Sequence, residues 1–171
     1  MSKIAIITDS TAYLPDDLVA AYNITVVPLV VIWGEETLRD NVDITPSEFY
    51  QRLVTAKIMP STSQATIQAF SDAFEKLHSE GYDILTIVLS SALSGTLDSA
   101  IQAKKQFLNA KIELIDSQLT SLPLAYMALA AARAAKRGVS LEECKRIVEK
   151  IRENTQVFFA VETLEFLHRG G

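Results

Sequence analysis

The sequence is poor in the residues on which several classes of protein depend. It has one cysteine, Cys144, so no disulfide can form within the chain. Its formal net charge is -5, and no cluster of lysine or arginine offsets it, which argues against nucleic-acid binding. Its apolar stretches fall short of the roughly 20 residues that a membrane-spanning helix needs. The first residues do not follow the layout of a signal peptide, so we expect a cytoplasmic protein.

Motifs for phosphate binding and for nucleophilic catalysis are also missing. The chain has neither a GxxxxGK[ST] loop nor a GxSxG elbow, and neither of its histidines, His78 and His168, lies beside a serine-rich segment. His78 falls late in a predicted helix, where a surface position is expected. The aspartates are scattered without the spacing of metal ligands. The sequence therefore predicts no metal and no cofactor.

Short apolar runs alternate with helical stretches along the chain. IAIIT (4–8), DILTIVL (83–89) and KIELID (111–116) are typical of buried strands, and each precedes a predicted helix. This order favours an α/β fold, a mostly parallel sheet with helices on both faces. Within the β-rich run ITVVPLVVIW (24–33), Pro28 cannot donate to a sheet hydrogen bond, which predicts an edge or bent strand.

Local signals mark helix ends and a domain boundary. Thr45-Pro46-Ser47-Glu48 predicts a helix that begins with a capping box, and Gly138 predicts the end of a long helix. After the last predicted helix, VFFAV (157–161) has the pattern of one more strand. We therefore predict one α/β domain over residues 1–154 and the start of a second, α+β domain over residues 155–171.

Four segments rich in hydroxyl side chains follow predicted strands or precede predicted helices. They are TDST (8–11), STSQ (61–64), SSALSGT (90–96) and DSQLTS (116–121). Each alone is explained by helix capping, for which Ser, Thr and Asp are favoured. Together, beside helix N-termini and with Gly95 permitting close backbone approach, they predict a site for an anionic head group. Neutral hydroxyls without lysine suit a modest anion such as a carboxylate.

Five segments, in order, resemble the DegV family of bacterial fatty-acid-binding proteins. They are IAIITDSTAYLP, MPSTSQAT, VLSSALSGTLDSA, LIDSQLTS and VETLEFLHRGG, and they extend over nearly the whole chain. The resemblance implies a binding protein rather than an enzyme. It also implies a long-chain fatty acid as ligand, palmitate-like or oleate-like, and a role in lipid transport or in presenting the acid to a separate fatty acid kinase.

The resemblance implies roles for individual residues as well. It places the ligand carboxylate at Thr62 and Ser94. The other implied residues are Ser63, Ser91 and the backbone of Gly95 as support, Asp9 and Ser10 in the pocket floor, and Arg169 near the head group or on a kinase-facing surface.

Members of that family are considerably longer than this chain. We therefore expect the head-group residues to be present, the affinity for lipid to be reduced or lost, and an exposed apolar face to favour self-association. The alternative is a phosphotransferase-like or hydrolase-like enzyme that uses Asp9 or His168. A third interpretation is an interaction module whose capped turns bind no ligand.

Overall fold

The computed structural model describes residues 3–158, 160–162 and 164. Its helices and strands, in chain order, are β1 (Lys3–Asp9), α1 (Asp16–Tyr22), β2 (Thr25–Val27), β3 (Val30–Trp33), β4 (Glu36–Arg39), α2 (Pro46–Thr55), β5 (Ser61–Ser63), α3 (Ile67–Ser79), β6 (Tyr82–Val88), α4 (Thr96–Lys104), β7 (Ile112–Asp116), α5 (Ser121–Lys136) and α6 (Leu141–Glu153). A short 3-10 helix, Ser10–Ala12, follows β1.

The main layer is a parallel sheet of four strands in the order β2–β1–β6–β7. β1 and β6 are apolar nearly throughout because both faces of the sheet are covered. α3 and α4 pack together on one face, and α1, α5 and α6 pack on the other. The predicted mostly parallel sheet with helices on both faces is therefore confirmed.

A second, smaller sheet lies beside the first. Its three strands are antiparallel in the order β4–β3–β5. It has its own small core, in which Val31, Trp33 and Ile44 are buried and Phe49 and Leu53 of α2 pack against them. The sequence pattern did not predict this sheet.

The β-rich run 24–33 is divided between the two sheets at Pro28. Residues before the proline form β2 of the parallel sheet, and residues after it form β3 of the antiparallel sheet. The Leu29 N–H donates to Ser10 Oγ at 3.1 Å instead of to a strand. The prediction of a bend at this proline is confirmed, and the bend is a change of sheet.

Helix ends follow the predicted signals. Thr45 Oγ1 accepts from the Glu48 N–H while the Glu48 carboxylate accepts from the Thr45 N–H, so the capping box is present. Gly138 has φ of +80°, a left-handed conformation that ends α5 and suits glycine. No helix in the described part of the chain is long and apolar enough to cross a membrane.

One strand was not predicted, and one predicted strand is absent from the described residues. The helix expected after PSTSQA is present as α3, which begins at Ile67, but Ser61–Ser63 before it form strand β5, which the sequence pattern did not predict. VFFAV (157–161) was expected to be a strand, yet its described residues, which exclude position 159, belong to no strand. An apolar pattern therefore does not by itself make a segment a strand, because a strand also needs a neighbouring strand to pair with. The domain boundary proposed there stays a prediction.

Candidate functional site

A cavity of about 660 Å³ lies between the two sheets, at the carboxyl ends of β1 and β6. Ligands of open parallel sheets bind at this edge, where strands end and helices begin. The lining residues come from both sheets, from α2 and from the segment before α4: Thr11, Tyr13, Leu29, Val30, Val31, Asp40, Pro46, Phe49, Tyr50, Thr62, Ser63, Gln64, Leu89, Leu93, Ser94 and Gly95.

Hydroxyl groups from two separate elements meet in this cavity. Thr62 and Ser63 belong to β5 and are exposed, while Ser94 and Gly95 directly precede α4 and are half-buried. Thr62 pairs with Val31 of β3, so a hydroxyl lies beside the apolar wall of the cavity. Four of the residues implied by the family resemblance are thus brought to one place.

The Ser94 hydroxyl is bonded to the first residue of α4. Thr96 is fully buried, and its Oγ1 accepts from the Ala65 N–H at 3.3 Å and lies 3.0 Å from Ser94 Oγ. Ser94 Oγ accepts from the Thr96 N–H at 3.3 Å, and in its contact with the Thr96 hydroxyl either oxygen can be the donor. When the Thr96 hydroxyl donates, the Ser94 O–H is available to a ligand in the cavity.

The N-terminus of α4 adds partial positive charge at the same end of the cavity. Its N-cap is Gly95, which supplies no side-chain capping hydrogen bond. Helix N–H groups in the first turn then face the region of Ser94 and attract a negatively charged group.

Asp9 and Ser10 lie beneath the cavity and do not line it. The Asp9 carboxylate accepts from the Thr11 N–H at 2.9 Å, the Thr11 hydroxyl at 2.6 Å and the Leu89 N–H at 2.7 Å. Burial raises the pKa of Asp9, and the hydrogen bonds from Thr11 and Leu89 oppose that rise. Ser10 Oγ accepts from the Leu29 N–H. Both residues thus fix the positions of residues that do line the cavity.

Ser91 is directed elsewhere. Its hydroxyl donates to a carboxylate oxygen of Asp116, at the end of β7, and its N–H donates to the other oxygen at 3.2 Å. Ser91 is not among the lining residues. Arg169, like His168 of the alternative hypothesis, lies outside the described residues.

The rest of the lining is mainly apolar, with one acidic side chain. Leu29, Phe49, Leu89 and Leu93 provide aliphatic and aromatic surface, and Asp40 is the one Asp, Glu, Lys or Arg among the described lining residues. Partial burial, and then the negative charge of Asp40, raise the pKa of the nearby Tyr13 hydroxyl. An anionic ligand group is therefore favoured at the hydroxyl end and disfavoured near Asp40.

No group of three or more His, Cys, Asp or Glu side chains is placed to hold a metal ion among the residues that the structure describes. Sequence reasoning missed Gln64, Asp40 and the aromatic residues of α2. Gln64 stood within the STSQ segment and gave a local signal. Asp40, Phe49 and Tyr50 gave none, because Asp40 follows β4 of the small sheet and α2 packs against that sheet, which was not predicted.

Fold and cavity together define a class: an α/β protein with a parallel sheet, a small second sheet, and between them a cavity with a hydroxyl end and an apolar wall. The family model described as "Uncharacterised protein, DegV family" matches residues 3–171. The chain belongs to the DegV family, which confirms the resemblance seen in the sequence.

Known relatives agree with this assignment. A DegV domain-containing protein of Halalkalibacterium halodurans is 36% identical over 172 residues, and one of Listeria innocua is 40% identical over 172 residues. The alignment covers 100% of this chain and 61% of each of these proteins, so the chain spans about three fifths of their length.

Solved structures of the family are similar to this one. A fatty-acid-binding DegV family protein from Thermus thermophilus is 36% identical with a TM-score of 0.89, over 99% of this chain and 60% of that one. DegV from Bacillus subtilis, a fatty acid binding protein, is 33% identical with a TM-score of 0.91, over 100% and 61%. A stearic-acid-binding protein from Eubacterium ventriosum is 30% identical with a TM-score of 0.89, over 100% and 60%.

Proposed function

We propose that this chain binds a long-chain fatty acid in the cavity between the two sheets. The carboxylate lies against the hydroxyls of Thr62 and Ser94, and the acyl chain lies along the apolar wall. The observation that carries the proposal is the meeting of hydroxyl donors from β5 and from the start of α4 in one largely apolar cavity of about 660 Å³. That volume is in the usual range for a small-molecule site. The three solved relatives bind fatty acids, which supports it.

The physical chemistry of a fatty acid suits this lining. Burial of the acyl chain contributes about 0.8 kcal/mol per CH₂, which for palmitate is a gross term above about 10 kcal/mol before the costs of binding. The polar end then has to replace the water that the carboxylate loses. Two hydroxyl donors and the N-terminus of α4 can do this without a cation.

The other residues implied by the resemblance take supporting roles in this proposal. Ser63 and the Gly95 backbone adjoin the two main hydroxyls, and both line the cavity. Asp9 and Ser10 act indirectly, through the cavity residues that they hold. Ser91 acts through the segment that its bonds to Asp116 fix. Arg169 is proposed to approach the head group or a kinase.

The binding proposal is tested by finding what the protein carries and takes up. Solvent extraction of the purified protein followed by mass spectrometry is expected to release acyl chains, and added palmitate or oleate is expected to bind. Thr62→Ala with Ser94→Ala is expected to weaken binding at least tenfold, because a hydrogen bond to a charged group contributes about 1.5–3 kcal/mol.

The matched control is Ser79→Ala, which removes a hydroxyl that donates to the Lys76 carbonyl at 2.8 Å near the end of α3, far from the cavity. The Ser79→Ala variant should bind palmitate and oleate with the same affinity as the original protein. A protein that extracts without lipid and takes up neither fatty acid would contradict the proposal.

We propose further that the bound acid serves lipid metabolism by being presented to a separate fatty acid kinase. Thr62 and Ser63 are exposed, so a carboxylate held there is within reach of a second protein. Acyl phosphate should form when kinase, ATP and loaded protein are mixed, and not when the kinase is omitted. Acyl phosphate formed by this chain alone would instead favour the enzyme hypothesis.

A further inference from the structure

We propose that Gln64 is a positioning residue that holds the two halves of the head-group site together. The inference rests on the proposed function, since it concerns how the hydroxyls of β5 and those before α4 act on one carboxylate. Gln64 directly follows β5, and its side chain reaches the first turns of α4.

The contact between Gln64 and α4 is close and specific. Gln64 Nε2 donates to Ser99 Oγ at 3.1 Å, and Ser99 is 1% exposed. The side-chain amide crosses over Gly95: a Cβ built onto Gly95 would lie 2.8 Å from Gln64 Cδ and closer still to Gln64 Oε1. Real Cβ atoms essentially never come so near, so glycine at position 95 makes room for the amide.

Two sheets with separate cores need such a link at the site. Thr62 belongs to the small antiparallel sheet, whereas Ser94 lies between β6 of the parallel sheet and α4. Beside the Gln64 contact, the Ala65 N–H donates to Thr96 Oγ1 at 3.3 Å. Side chains of one binding site must be held close to the required geometry, within about 0.5 Å. Gln64 supplies the side-chain part of that restraint.

Ser99 allows the link to be tested without altering the cavity. It does not line the cavity, so Ser99→Ala removes the acceptor of Gln64 Nε2 without changing a lining side chain. The readout is the ratio of the dissociation constants of hexadecanol and palmitate, which share a tail and differ in the head group. We expect Ser99→Ala and Gln64→Ala each to lower this ratio about fivefold, the loss of roughly one hydrogen bond.

The chain offers a matched control for a purely structural effect. Gln106 Nε2 donates to Ser71 Oγ at 3.3 Å, another glutamine–serine bond across 35 positions, as between Gln64 and Ser99. Neither residue lines the cavity. Gln106→Ala is expected to lower the melting temperature as Ser99→Ala does but to leave the head-group ratio unchanged. A ratio unchanged by Ser99→Ala and Gln64→Ala would overturn the inference while leaving fatty-acid binding intact.

A second measurement needs no ligand. Gly95→Ala is expected to lower the melting temperature slightly in the original protein, because the new methyl group displaces the flexible Gln64 amide and breaks its hydrogen bond to Ser99 Oγ. In the Gln64→Ala background the same change should cost much less, since the atoms it meets are gone. An equal loss in both backgrounds would overturn the inference, whether or not the protein binds fatty acid. Failure of the original protein to bind any fatty acid would overturn the proposed function, and this inference with it.

Discussion

The carboxylate of Asp9 connects strands that are distant in sequence. Its two oxygens accept three hydrogen bonds, two from Thr11 and one from the Leu89 N–H, 80 positions along the chain. Asp9 is 0% exposed and Leu89 is 5% exposed, so without the carboxylate the Leu89 N–H would be shielded from water with no acceptor. The carboxylate lies outside the cavity, and both of its oxygens accept hydrogen bonds from the protein. Asp9 is therefore suited to stabilising the fold rather than to proton transfer or nucleophilic attack.

We predict that Asp9→Ala destabilises the protein by about 1–3 kcal/mol, since the Leu89 N–H is left buried without an acceptor. Urea unfolding at pH 7 measures the change. Arg146→Ala is the comparison: Arg146 forms one exposed ion pair with Glu143, and such pairs contribute little. If Asp9→Ala kept its full stability but lost ligand binding, Asp9 would be a direct ligand contact and the structural role would be wrong.

Single residues show what the sequence could and could not predict about the site. The surplus of hydroxyls indicated an anion site, and four of the implied residues line one cavity. Ser91 and Ser94 are chemically identical and three positions apart, yet Asp116 bonds Ser91 away from the cavity. That contact spans 25 positions and depends on the pairing of β6 with β7, which no local pattern reports.

Among the elements, α2 has the clearest link between capping and the site. Its capping box joins Thr45 to Glu48, and the next two residues, Phe49 and Tyr50, line the cavity. The hydrogen bonds from the Thr45 hydroxyl and the Thr45 N–H hold the pKa of Glu48 below its ordinary value of 4.5. The start of this helix therefore sets the position of one cavity wall.

The capping box predicts a pH dependence. A carboxyl pKa lowered by folding stabilises the protein above the unfolded value, and this contribution is lost as the pH falls through 4.5 toward the lower folded pKa. Thr45→Ala is expected to cost about 1 kcal/mol at neutral pH and to reduce the loss of stability on acidification below 4.5. Denaturant unfolding from pH 7 to pH 3 measures both. If the Thr45→Ala variant lost as much unfolding free energy between pH 7 and pH 3 as the original protein, the capping box would not persist in solution.

Element prediction succeeded where the periodic signal was strong. Apolar runs and capping residues located β1, β6, β7 and the long helices, because burial on both faces leaves a nearly continuous apolar sequence. Strand β5 has the sequence Ser61-Thr62-Ser63 and is exposed at every position, so it has neither alternation nor an apolar run. It is a strand because it pairs with β3, and only the tertiary structure supplies that partner.

The whole molecule places the candidate site between two units of unequal size. The larger core fills both faces of the parallel sheet, and the smaller one lies under the antiparallel sheet and α2. A site shared by two units is sensitive to their relative position. The hydrogen bonds of Gln64 with Ser99 and of Ala65 with Thr96 therefore affect the geometry of the site although they are only two. Composition and periodicity describe each unit separately and do not report this relation.

Exposed apolar side chains among the described residues predict self-association. On α5, Leu122 and Tyr126 lie one turn apart and are 61% and 65% exposed, and Leu93 near the cavity is 66% exposed. Adjacent large apolar side chains favour contact with another protein surface. We expect sedimentation velocity to show association that rises with concentration and that Leu122→Gln with Tyr126→Gln reduces. The control is Leu108→Gln, which replaces another exposed leucine: Leu108 follows α4 and is 90% exposed. This variant should associate as the original protein does. A protein that stays monomeric at all concentrations, or a double variant that associates as before, would show that this face is not the contact.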